Sequence, residues 1–124
     1  MIKLDMQSFQ KEISLAFSGG NFEFTYPYLA DEVTFNVVGE KLLTGKSAVI
    51  EFCNQIAEYF KTVPPKATLD NVIVGDDCVA INGTAEFYNT KENRTNHISS
   101  CDVYKFEDGK LKEITSYCIS TKKE

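Results

Sequence analysis

Apolar residues recur at three- and four-residue steps over residues 5 to 18, where Met6, Phe9, Ile13, Ala16 and Phe17 share a stripe with Gln, Lys and Glu between them. That spacing predicts an amphipathic helix, with Asp5 as N-cap and Gly19-Gly20 as its stop. Asn21 is placed to cap a second, shorter helix running toward Leu29, interrupted by Pro27, which has no backbone N–H to give. Residues 32 to 38 read as a short strand closed by Gly39, and Leu42 and Leu43 as a small second arm. A second helical stripe of Val49, Phe52, Ile56, Tyr59 and Phe60 predicts the longest helix, 46 to 62, ended by Pro64-Pro65. Beyond the prolines the period falls to two. Ala67 to Val74 alternates, Gly75-Asp76-Asp77 turns, and Cys78 to Tyr88 continues as one long strand with a glycine bulge at Asn82-Gly83. The last third, 94 to 121, holds two runs of β-branched and aromatic residues around Asp108-Gly109, the strongest short-range signal for a β-hairpin. Helices first and strands later predict an α+β fold, a cone-shaped curved antiparallel sheet wrapped around N-terminal helices. The mouth of such a cone is a natural small-molecule pocket.

The chain has 124 residues, which predicts a single domain over 1–124, and a net charge of −5, which argues against nucleic acid and against an anionic membrane surface as partners. No apolar run is long enough to span a bilayer, and the N-terminus lacks the basic-then-apolar order of a secretory signal, so the expected location is cytoplasmic. Cys53, Cys78, Cys101 and Cys118 form no CxxC pair, so no metal and no cofactor is expected, and the four read as reduced, mostly buried thiols. His97 is the single histidine, the one candidate to activate a cysteine. Asn82-Gly-Thr and Asn93-Arg-Thr fit the glycosylation pattern but carry no weight without secretion, and Lys122-Lys123 reads as a solvated tail.

Three segments, in order, resemble the NTF2-like superfamily, and within it the SnoaL-like and ketosteroid-isomerase-like branches. They are Tyr28-Leu29-Ala30-Asp31-Glu32-Val33-Thr34-Phe35, the run from Thr44-Gly45-Lys46 to Phe52, and Asp102-Val-Tyr-Lys-Phe-Glu-Asp-Gly-Lys-Leu. The resemblance implies a cone-shaped α+β barrel (cystatin-like), commonly a homodimer through the outer face of the sheet. In the isomerases it implies a carboxylate base, a tyrosine donor and a protonated aspartic acid. Asp102 matches that aspartic acid. The base position falls at Asn36, Val37 and Val38 and the tyrosine position near Ile13, and none of these residues can do that work. In the SnoaL-like cyclases a pocket carboxylate serves as acid or base, and Asp102 matches it in kind.

Asp102 is the candidate catalytic residue. Alternation puts Ile98, Ser100, Asp102, Tyr104 and Phe106 on one face and His97, Ser99, Cys101 and Val103 on the other. A regular hairpin sets Thr115 and Tyr117 beside the first set, whereas a bulge in the last strand sets Ile114, Ser116 and Cys118 there, and both registers stand open. Asp102 reads either as a pocket acid or base or as a structural carboxylate bonded to hydroxyls. Tyr28, Asn36, Ser100, Tyr104 and Ser116 are the candidate ligand contacts, and Glu86 is a second possible pocket carboxylate. The leading expectation is a protein binding a small hydrophobic ligand. The alternatives are an isomerase, cyclase or dehydratase acting on a hydrophobic carbonyl compound through Asp102, and a dimeric, non-catalytic protein-interaction module.

Overall fold

The computed structural model describes residues 3–121. Helix α1 (Lys3–Ser18) is followed by the single turn α2 (Phe22–Thr25) and a 3-10 turn (Tyr26–Tyr28). Strand β1 (Leu29–Val37), the short β2 (Lys41–Thr44) and helix α3 (Lys46–Thr62) come next. Strands β3 (Lys66–Val74), β4 (Cys78–Asn89), β5 (Arg94–Glu107) and β6 (Lys110–Thr121) complete the chain. Lys122 and Lys123, read as a tail, lie outside the described residues. No helix among the described residues is long and apolar enough to cross a membrane.

Two local expectations move. Helix α1 begins at Lys3, so Asp5 lies in its first turn, where a carboxylate favours the positive end of the helix dipole, and is not its cap. The helix expected to run from Asn21 toward Leu29 breaks after one turn, because Pro27 cannot continue it and instead opens the 3-10 turn with its fixed φ. β1 consequently starts at Leu29 rather than at Glu32. Gly19-Gly20 does stop α1: Gly20 adopts φ +89°, and the Asn21 N–H donates back to the Ala16 carbonyl at 2.8 Å.

The six strands form one open, curved sheet in the order β2-β1-β6-β5-β4-β3. The expected antiparallel sheet is in fact mixed, since β1 and β6 run parallel, with Asn36 opposite Thr115 and Val37 opposite Ser116. Three hairpin reversals fix the direction of β6 relative to β3, and β6 arrives beside β1 running the same way. The hairpin at Asp108-Gly109 forms as expected, with φ of +52° and +76°, the pair of positive values a type I′ turn requires. The bulge expected in β4 lies across from it, in β3, where Asp70 is the extra residue between the pairs Leu69–Gly83 and Asn71–Asn82. Gly83 is needed opposite that bulge. A Cβ there would sit 2.3 Å from the Thr68 carbonyl oxygen.

The core fills one end of the sheet. Ile13 and Phe17 of α1 and Val49 and Cys53 of α3 pack on Val33, Ile81, Tyr104, Leu111 and Ile114, all buried. The buried stripe of α3 therefore runs through Cys53, while Tyr59, expected on it, is exposed. Of the four free cysteines only Cys53 is buried and Cys118 is exposed, so "mostly buried" fails for the set.

Candidate functional site

The other end of the sheet is hollow, and the inward side chains show why. Where the core end carries Val79, Ile81, Tyr104 and Ile114, the far end carries Ala67, Ala85, Gly83, Ser100 and Cys118 on the same face. Small side chains under α1 and α3 leave a cavity of about 290 Å³. Six phenylalanines line it: Phe17 and Phe22 from the α1–α2 corner, Phe35 from β1, Phe52 and Phe60 from α3, and Phe87 from β4. Phe17 is their hub, with edge-on contacts to Phe22 at 5.0 Å and Phe35 at 5.3 Å.

Asp102 lies on the floor of this cavity, in a row running Val72, Ile81, Asp102, Ser116 and Val37 across five strands. That row exists because β6 has a bulge. Lys112 is the extra residue between the pairs Phe106–Leu111 and Lys105–Glu113, and beyond it Ile114, Ser116 and Cys118 face inward opposite Tyr104, Asp102 and Ser100. The open question of register closes on the bulged alternative, and Tyr117 faces out.

The carboxylate of Asp102 is held by two serines. Ser116 Oγ donates to Oδ1 at 2.7 Å, and Ser18 Oγ donates to Oδ2 at 2.8 Å. Behind Ser18 lies Tyr104, fully buried, its hydroxyl 2.5 Å from Ser18 Oγ. Burial, followed by the charge of Asp102, keeps the Tyr104 phenol well above its usual pKa, outweighing the lowering by its Ser18 hydrogen bond. The phenol thus stays protonated and completes a chain from Tyr104 through Ser18 to Asp102. An ionised carboxylate accepts about four hydrogen bonds. Ser18 and Ser116 take two of these, and the Tyr104 hydroxyl, 3.5 Å from Oδ2, makes a long third, so Asp102 keeps acceptor capacity toward the cavity.

The candidate ligand contacts divide. Ser100 and Ser116 line the cavity beside Asp102, and Tyr104 stands behind its floor. Asn36 and Tyr28 do not reach it. Asn36 alternates with the lining residues Phe35 and Val37 and so points to the opposite face, and Tyr28 packs edge-on against Phe9 at 4.9 Å, beyond the cavity wall. Glu86 is also outside, paired with His97 Nδ1 at 3.4 Å on the outer face, which removes that histidine from any thiol. Of the isomerase positions, Val37 lines the cavity and Ile13 is core. The six phenylalanines escaped the sequence reading as site residues, and so did two polar ones, Ser18 and Glu40, the latter at the rim in the β1–β2 turn. Ser18 precedes the Gly19-Gly20 stop, the one hint that it sits at an open helix end. No group of three or more His, Cys, Asp or Glu fit to hold a metal occurs among the described residues.

Comparison with curated proteins gives no match. Among solved structures, an NTF2-like protein of unknown function from Cytophaga hutchinsonii is 34% identical, covering 92% of this chain and 99% of its own, with a TM-score of 0.85. The epoxide hydrolase/cyclase-like enzyme SalBIII of salinomycin pyran-ring formation shares the fold at 20% identity, covering 90% of this chain and 92% of its own, with a TM-score of 0.68. An LEH-like epoxide hydrolase of M. tuberculosis does so at 14% identity, covering 84% and 74%, with a TM-score of 0.62. The sequence profile of the SnoaL-like domain matches residues 11–114, and with the 34% identical relative this makes the chain a member of the SnoaL-like, NTF2-like family.

Proposed function

We propose that this protein binds a small, mainly apolar molecule in the cavity, with Asp102 receiving its polar end. The observation that carries this reading is a carboxylate fixed by Ser18 and Ser116 at the floor of a hollow lined by six phenylalanines. Apolar walls with a few convergent polar groups are the usual build of a ligand site. Filling the hollow is the direct test. Ser100→Phe projects a ring into it from β5, so ligands that raise the melting temperature of the natural protein should lose their effect in the variant. A shift that survives Ser100→Phe would mean that binding occurs elsewhere.

A second reading, in which Asp102 is an acid or base in an isomerase, cyclase or dehydratase-type reaction, is favoured by the Tyr104–Ser18–Asp102 chain. Together with Ser116 it fixes the carboxylate in one orientation, donors on both oxygens, as an acid or base acting on a substrate must be. The cyclase-like and epoxide-hydrolase neighbours lend it analogy only. Asp102→Asn should abolish turnover of any substrate found. We also propose that two copies pair through the outer face of the sheet.

A further inference from the structure

The cavity has a marked charge asymmetry. Its described lining residues include two carboxylates, Asp102 and Glu40, and no Lys, Arg or His. Both act on one point within it. Burial raises the pKa of the Cys118 thiol, the Ser116 hydrogen bond lowers it, and the charges of Asp102 and Glu40 add smaller increases. A carboxylate or phosphate entering here would meet like charge in apolar surroundings, with no base to receive it.

The walls favour the opposite sign. Six phenylalanines line the space, and the face of an aromatic ring attracts a cation. Phe52 already does so: Lys41 Nζ, not one of the lining groups, lies 4.6 Å from its centroid. An ammonium group carries three donors and no acceptor, the complement of an acceptor-only carboxylate with capacity left after Ser18 and Ser116. Taking that ammonium out of water is costly, and the paired charge offsets the cost.

We propose that the natural ligand is an organic cation, a small amphipathic amine whose ammonium donates to Asp102 while its apolar body lies among the phenylalanines. This rests on the cavity being a ligand pocket and adds the sign of the ligand's charge. Glu40, at the rim, adds to the attraction on the way in.

Calorimetric titration with three probes of one chain length separates the two claims. Decylamine should bind tightest, decanol roughly tenfold or more weaker, as expected for loss of a charge-assisted hydrogen bond, and decanoate weakest. In Asp102→Asn the amine should fall to the level of decanol while decanol is little changed. Glu40→Gln, on an exposed turn, should weaken the amine in the same direction by less, and it serves if Asp102→Asn proves unstable. Equal binding of amine and alcohol, or tighter binding of decanoate, overturns the charge assignment and leaves the pocket standing. Binding of none of the three overturns both.

Discussion

At the scale of single residues, the site is a matter of which hydroxyl reaches which oxygen. A mid-strand carboxylate needs partners, because burying one unpaired is expensive. The chain supplies them from both ends: Ser116 is its cross-strand neighbour, and Ser18 comes from the end of α1. Buried groups that ionise impose their own condition on stability. Burial pushes the Cys53 thiol from 9.0 up to about 12, and Tyr104 is raised well above 10.0. Both pKa values are higher folded than unfolded, so below about pH 9 both states keep their protons and stability is full. As pH rises from 9 toward 12 the unfolded chain releases the Cys53 proton first, and stability falls by up to about 1.4 kcal/mol per pH unit for each such group. Urea unfolding followed from pH about 8 to about 11 should show this decline, shallower in Cys53→Ala. An identical slope in that variant would mean the thiol is not its source. Asp102 itself was legible in the sequence from alternation and from the motif around it. Ser18 was not, because its partner lies on the far side of the fold and nothing local marks it.

At the scale of elements, breaks in strand register decide what faces the cavity. A strand repeats every two residues, so a slip of one residue exchanges its faces. In β6 the exchange is made once, at Lys112, and Glu113 explains why. In a regular hairpin Glu113 would fall opposite Tyr104 in the core and Ile114 would face water; with the bulge Ile114 is buried and Glu113 exposed. The two registers are therefore separable by the cost of burying one carboxylate, a signal present in the sequence. Deletions can expose the logic. Removing Lys112 takes out only the extra residue and keeps Ile114, Ser116 and Cys118 inward, so the shortened chain should still unfold cooperatively. Removing Thr115 turns Ser116 outward and drives Tyr117 against Asp102, so cooperative unfolding in urea should be lost. Equal behaviour of the two deletions would refute this account of the register. Helix and strand positions were legible because periodicity is local. The parallel pairing of β1 with β6 was not, since a buried strand shows the same apolar face to a neighbour of either direction.

At the scale of the whole molecule, the sheet has two faces with different fates. Helices and cavity occupy the inner one. The outer one carries a row through Ile73, Ala80, Val103, Thr115, Asn36 and Leu42, each opposite the next across all six strands. Ile73 is 67% exposed and Leu42 63%, with Ile119 at 64% and Tyr117 at 48% nearby. Large side chains left this open on the outer face are what the proposed pairing of two copies would cover. A sheet face of this kind can supply the roughly 800 Å² per partner of a standard interface. The proposed dimer predicts that sedimentation velocity at tens of micromolar shows twice the monomer mass, and that Ile119→Asp, which puts a charge into the exposed apolar face, returns the chain to a monomer. Because Ile119 points away from the cavity, the variant should bind cavity ligands as the natural protein does. A natural chain that sediments as a monomer sinks the dimer and leaves the pocket untouched. Loss of ligand binding on dissociation would instead mean that the two faces are coupled through the strands they share.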